Sequence, residues 1–136
     1  MFQNEVLRFS GWQTDKIFRL FNKQKARYTN ERLVHEKLDV NGEIGLLKHK
    51  IIHYSYSDYD NYKGKMISYG RFKAMEAKMK DKKTSPFISV IHPVYTFLYN
   101  YIIRLGILDG QKGIIICYLN ALSVFTRYQE LRRLKL

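Results

Sequence analysis

An imidazole and a carboxylate stand side by side in Leu33-Val34-His35-Glu36. A carboxylate with a histidine beside it can take a proton from an attacking hydroxyl, the work of a general base. Adjacent side chains of an extended or turning segment point in different directions, however. A solitary glutamate in a basic chain is also commonly a surface ion-pair partner. His53 lies among apolar and aromatic neighbours in Ile51-Ile52-His53-Tyr54, a setting that suits either a ligand or a satisfied interior imidazole. His35, His49 and His53 follow no metal-ligand spacing, and His92 is far along the chain. Asp58-Tyr59-Asp60 brings two carboxylates close, but it reads better as a helix start than as a metal–nucleotide site. No glycine-rich phosphate loop, Walker motif or nucleophile elbow occurs. Cys117, the single cysteine, excludes a disulfide framework and a thiolate zinc cluster. Its apolar run Ile114-Ile115-Ile116-Cys117-Tyr118 makes it a small core residue, not a nucleophile.

The elements that must position these groups fall into two parts, divided near Ser57. The first reads as short strands and turns. Ile17-Phe18-Arg19-Leu20-Phe21 is rich in strand formers, and Ala26-Arg27-Tyr28 is its expected return partner. Asn41-Gly42 is the strongest hairpin signal, between Leu38-Asp39-Val40 and Glu43-Ile44-Gly45-Leu46-Leu47. Residues 51–56 form another expected strand. These few strands cannot cover both faces of an independent all-β domain, so they are expected to belong to a larger sheet.

The second part reads as three helices. Tyr59, Tyr62, Met66, Tyr69, Phe72, Met75 and Met79 recur every three or four residues as an expected core stripe, with lysines opposite. Lys82-Lys83-Thr84-Ser85-Pro86 breaks that helix, and Pro86 suits the first turn of the next. The second helix is expected over 87–105, bent at Pro93 and ended by Gly106. Asp109-Gly110 reads as a turn, and a third helix is expected over 112–134. Residues 84–103 contain no Asp, Glu, Lys or Arg. Ser85, Ser89, His92, Pro93, Thr96 and Asn100 interrupt this run, which favours an interfacial helix or a buried hairpin over a membrane crossing.

Composition bounds the partners. The 136 residues carry 24 Lys and Arg against 12 Asp and Glu, a formal charge of +12. Residues 58–136 hold +8 of it and residues 1–57 hold +4. An acidic calcium buffer is thereby excluded, whereas nucleic acid, an anionic membrane and a phosphate-bearing ligand remain. Interleaved tyrosines and lysines suit base stacking in principle, but the helical spacing assigns the tyrosines to a core. Apolar residues make up 46%, enough for a folded domain. Residues 1–10 lack the pattern of a secretory signal, so none is expected.

A series of motifs then resembles bacterial family 2 glycosyltransferases of the lipopolysaccharide-core glucosyltransferase type. Gly11-Trp12-Gln13-Thr14-Asp15-Lys16-Ile17-Phe18-Arg19-Leu20-Phe21 is similar to their G-W-x-x-D-x-x-x-R-L-F segment, and Val34-His35-Glu36 to their V-H-E signature. Gly42 to Leu47, followed by Ile52-His53-Tyr54-Ser55, resembles G-x-x-G-x-L and I-x-H-x-S. His92-Pro93, then Tyr101 to Gly110 and Gly113, resembles the H-P…Y-I-x-x-x-G-x-L-D-G-x-x-G tail. Each motif is short; their shared order over nearly the whole chain is what gives the resemblance specificity.

The resemblance implies an α/β GT-A domain of which residues 1–57 are the C-terminal part (α+β as an isolated piece), followed by a basic helical extension over 58–136. It implies an inverting transfer of a sugar from a nucleotide-sugar to a glycan or lipid-linked acceptor. Glu36 becomes the expected base and His35 its orienting partner or an acceptor contact. Arg19 is expected at the donor diphosphate, and His53 at a divalent metal, Mg or Mn. The family's DxD-bearing nucleotide-binding half has no counterpart here, so the chain is expected to be a C-terminal portion, inactive by itself. The expected location is cytoplasmic, peripheral to the inner face of the membrane, with no nucleic-acid partner. The alternative is a non-enzymatic basic helical module that binds anionic membrane or nucleic acid.

Overall fold

The structure, a computed structural model, describes residues 2–3, 5–11, 16–29, 37–49 and 58–135. Among these residues it is an α+β arrangement of three α-helices and one small antiparallel sheet. Strand β1 (Ala26–Thr29) pairs with β2 (Lys37–Val40), with Ala26 opposite Val40 and Tyr28 opposite Leu38. Helix α1 spans Tyr59–Met79, α2 spans Pro86–Leu98 and α3 spans Gly110–Arg133. A π-helical turn, Tyr99–Ile103, extends α2, and a 3₁₀ turn, Gly106–Asp109, leads into α3.

The expected strand pairings are corrected. Residues 17–21 form no strand; Phe21 meets β1 in an edge-on ring contact with Tyr28, 5.8 Å between centroids. Nor does Asn41-Gly42 close a hairpin onto 43–47, which carries no strand. The amide of Asn41 donates to the Lys25 carbonyl at 2.8 Å, which extends the β1–β2 pairing past Val40. That bond aligns β2 with β1, and 43–47 is left with Ile44, Leu46 and Leu47 exposed. The expected strand over 51–56 lies outside the described residues.

The helices follow the sequence closely at their starts. Asp58 caps α1, at the helix start expected over Asp58-Tyr59-Asp60, by accepting from the amide of Asn61 at 2.7 Å. Ser85 caps α2 through the amide of Phe87, and Pro86 opens it. Pro93 sits buried inside α2 without ending it; the departure from α geometry comes later, at 99–103. Leu105, at φ 56°, makes the left-handed stop that the sequence suggested for Gly106.

The core lies between α1 and α3. Phe2, Tyr62, Met66, Ile116 and Leu119 form its centre, flanked by Leu7, Tyr59, Tyr69, Ile115 and Leu122. A second cluster joins Ala74 and Ala77 to Leu131 and Leu134. The expected stripe of α1 therefore holds only in its first half, because Phe72, Met75 and Met79 are exposed, Met79 by 79%. The reason is geometric. Each residue turns the helix about 100°, so the successive three-residue steps from Tyr69 to Phe72 to Met75 swing these side chains off the core face. Gly70, Ala74 and Ala77 occupy that face instead.

Small residues there let the helices approach closely. A Cβ on Gly70 would stand 2.6 Å from the Ser123 carbonyl oxygen and 2.8 Å from the Thr126 Cβ. Gly64, on the same helix, has nothing within 4 Å of such a Cβ. The same substitution is thus expected to act with opposite signs. Gly64→Ala should stabilise the chain by about 0.5–1 kcal/mol through helix propensity. Gly70→Ala should destabilise it by about 1–3 kcal/mol through overpacking. Urea denaturation of both variants is the measurement; stabilisation by Gly70→Ala would show that the helices are not held this close.

Candidate functional site

Of the four site residues that the resemblance implies, Arg19 lies within the described residues; His35, Glu36 and His53 lie outside them. In sequence, His35 and Glu36 fall between β1 and β2. Arg19 is exposed in the strandless stretch before β1, and no hydrogen bond or ion pair joins it to another described residue. Among the described residues no group of three His, Cys, Asp or Glu side chains is placed to hold a metal ion. The divalent metal implied by the resemblance thus has no fitting ligand set among them.

What the structure does bring together are the two ends of the motif series. The Asp109 carboxylate accepts three hydrogen bonds from the N-terminal segment: from the amides of Arg8 and Phe9, each at 3.1 Å, and from the Ser10 hydroxyl at 2.9 Å. The Ser10 amide donates to the Arg104 carbonyl at 3.1 Å. Residues preceding Gly11-Trp12 are therefore clasped onto the Leu108-Asp109-Gly110 turn, about a hundred positions later. A Cβ on Gly113 would overlap the Gly106 carbonyl oxygen, so the 3₁₀ turn can lie directly on the first turn of α3 only over a glycine. The sequence marked Asp109 merely as a turn residue. The available signal was an acid isolated in an apolar stretch, with Arg104 and Lys112 the nearest bases in sequence.

Cys117 lies beneath this clasp, fully buried. Burial pushes its thiol up from the ordinary range; a hydrogen bond with Ser10 opposes that rise and the charge of Asp109 adds to it. A protonated, inaccessible thiol is no nucleophile, in keeping with its reading as a core residue.

Helix α2 carries the second unusual surface. Its inward face, toward α3, holds Ser89, His92, Pro93, Thr96 and Asn100, all buried or half-buried. These polar groups are satisfied locally. Ser89 Oγ donates to the Pro86 carbonyl at 2.6 Å, Thr96 Oγ1 to the His92 carbonyl, and Asn100 Nδ2 to the Thr96 carbonyl, both at 2.8 Å. His92 Nδ1 lies 2.7 Å from the Tyr128 hydroxyl of α3. The outward face holds Phe87, Val90, Ile91, Val94, Tyr95 and Leu98, with Phe87 72% and Val94 55% exposed. The tip beyond it adds Ile102, Ile103, Leu105, Ile107 and Leu108, all exposed. The helix is thus inverted relative to one in a water-soluble core: polar inside, apolar outside.

No protein-family model matches the chain, and no solved structure matches its fold.

The clasp sets two expectations. Asp109→Ala removes the acceptor of three bonds to a charged group, each worth about 1.5–3 kcal/mol at most. It should speed tryptic cleavage at Arg8 and hydrogen exchange of residues 8–10, while α1 stays protected; unchanged exchange would show that the clasp does not form. Cys117 should resist thiol reagents until the chain unfolds. Its raised folded pKa means that the unfolded chain loses the proton first, so stability falls as pH climbs above the ordinary thiol value of 9.0. Cys117→Ala should flatten that alkaline slope in urea midpoints measured across pH.

Proposed function

We propose that the chain is the C-terminal part of an inverting family 2 glycosyltransferase of GT-A type, and that its helical part seats the enzyme on an anionic membrane surface. The ordered motif series supports the family. The observation that carries the membrane reading is the inverted polarity of α2. Apolar side chains facing water are costly when contiguous, and a bilayer interface relieves that cost. Fully burying one such side chain contributes about 1.5–3 kcal/mol. Among the described residues no helix is long and apolar enough to cross a membrane. The thirteen residues of α2 reach about 20 Å, short of the hydrocarbon core, so the helix suits the interfacial plane.

Charge supports the same partner. Lys82 and Lys83 precede the uncharged run, Arg104 follows it, and the chain carries +12 overall. Each base near an anionic surface adds about 1 kcal/mol, attenuated by salt. Such a seat, on the cytoplasmic face, places the enzyme where lipid-linked acceptors are found.

In this reading residues 1–57 complete the catalytic domain and 58–136 form the seat. Glu36 takes the proton of the acceptor hydroxyl as it attacks the donor sugar, and His35 orients Glu36 or the acceptor. Arg19 offsets charge on the departing nucleoside diphosphate, and His53 serves the metal site of the complete enzyme. This chain alone, without a donor-binding half, should not release nucleoside diphosphate from nucleotide-sugars in an acceptor-dependent way. In the complete enzyme, Glu36→Gln should lower turnover about a hundredfold or more; near-normal turnover would remove the base assignment.

The membrane seat is tested by vesicle sedimentation across a salt series. The chain should bind anionic vesicles strongly, lose part of that binding in high salt, and come off at alkaline carbonate. Val94→Asp, on the outward face, should lower the salt-resistant part at least about tenfold while helix content stays unchanged. Equal failure to bind neutral and anionic vesicles at low salt would overturn the reading and assign the α2 face to packing against protein.

A further inference from the structure

We propose that a groove between the C-terminal half of α1 and α3 binds a doubly charged phosphate group, as carried by a diphosphate or a phosphomonoester. The groove has a volume of about 250 Å³ and is lined by Lys73, Glu76, Ala77, Lys80, Lys82 and Arg127. Four cations against one acid give it a local charge of +3 at neutral pH.

The fold converges these cations from three elements. Lys73, Ala77 and Lys80 follow one another at four- and three-residue steps, hence on one face of α1. Ala77 is buried, and its short side chain leaves room above it. Lys82 is brought in by the turn that ends the helix. Its amide donates to the Ala77 carbonyl and that of Asp81 to the Lys78 carbonyl, each at 2.9 Å, with Asp81 left-handed at φ 44°. This is a Schellman ending. It occupies carbonyls whose negative partial charge would otherwise face an incoming anion.

Arg127 enters from α3. Its guanidinium carbon lies 5.5 Å from the ring centroid of Tyr128, and its Nε is buried with no hydrogen-bond partner. Arg127 also lines the groove, so its guanidinium adds a planar, permanently charged donor set to the lysines there. Glu76 is the acid within the groove, and the carboxylates flanking it are engaged elsewhere. Glu130 pairs with Arg71 at 3.5 Å and Arg133 at 3.9 Å, and Asp81 pairs with Lys135 at 3.6 Å. Among the described residues no ion pair reaches Lys73, Lys80, Lys82 or Arg127. Planar arginine with clustered lysines is a chemistry suited to phosphate. The site does not depend on the apolar face of α2 and stands if the membrane reading fails.

The test is a titration of the full 136-residue chain with inorganic pyrophosphate at low ionic strength, followed by calorimetry and by amide NMR. Saturable single-site binding is expected, with shifts centred on residues 73–82 and 127. Arg127→Gln and Lys80→Gln should each weaken it about tenfold. Lys63→Gln, nearly three helical turns before Lys73, should change it less than about twofold. Because Lys80 is exposed at a helix end, its variant tests the site even if Arg127→Gln perturbs α3. Absence of saturable binding, or equal weakening by all three variants, would overturn the proposal and leave a solvated basic surface.

Phosphatidylcholine vesicles carrying either phosphatidic acid or phosphatidylglycerol at equal surface charge separate the two sources of phosphate. A preference for phosphatidic acid that Arg127→Gln abolishes supports a lipid phosphomonoester. Equal binding to both, with pyrophosphate binding retained, supports a soluble diphosphate. Val94→Asp should leave pyrophosphate binding intact, so failure of the α2 seat and failure of the groove are read apart.

Discussion

The close approach of α1 to α3 is the constraint on which the rest of the structure depends. It is set by Gly70, Ala74 and Ala77, whose small side chains allow α1 to rest against the backbone of α3 near Ser123. Once the helices meet there, Tyr62 and Met66 fall against Ile116 and Leu119, and Phe2 closes the end of that core, its ring 5.7 Å from that of Tyr62. A bulkier contact would hold the helices apart and leave gaps that side chains cannot fill. The same choice of face costs α1 the burial of Phe72, Met75 and Met79, which a wider spacing would not rescue because they point elsewhere.

With α1 on one side of α3, α2 takes another, and there the contact is polar. His92 meets Tyr128, while Ser89, Thr96 and Asn100 bond back to their own helix. Such self-satisfied polar groups need nothing from α3 beyond a surface that excludes water. Hydrophobic burial therefore contributes little to holding α2 inward, and its apolar side chains are left outward. The inversion is a property of the whole hairpin, since the tip at 102–108 repeats it in Ile102, Ile103, Ile107 and Leu108.

Helices were legible because their signals are local. Asp58 and Ser85 are caps, Pro86 is a first-turn proline, and each acts within a few residues of itself. Strands were not, because pairing is a relation between distant segments. Ile17 to Phe21 has strand composition without a partner among the described residues, and Asn41-Gly42 has turn chemistry that the bond from Asn41 to Lys25 overrides. The core stripe of α1 was half legible: three- and four-residue steps look alike in a list, yet consecutive threes rotate off the face. The Asp109 clasp and the Arg127 groove depend on contacts between segments far apart in the chain, and no short window along the sequence contains them. His35, Glu36 and His53 rest on motif resemblance, as they did in the sequence.

The clasp gives the two proposed halves of the molecule a mechanical relation. Asp109 stands at the end of the apolar tip and holds residues 8–10, which lead directly into Gly11-Trp12 and the stretch containing Arg19. If the tip and α2 lie in a bilayer interface, the chain that enters the proposed catalytic part is tied to the membrane plane by three hydrogen bonds and not by a flexible linker. An enzyme acting on a lipid-linked acceptor needs such a fixed height, because a reacting hydroxyl held near the headgroups must meet the donor within about 3–3.5 Å. A half-buried carboxylate bonded to two backbone amides and a hydroxyl is screened by salt less than surface lysines are. In the proposed reading, attachment to a membrane can therefore loosen with ionic strength while residues 8–10 stay clasped to Asp109.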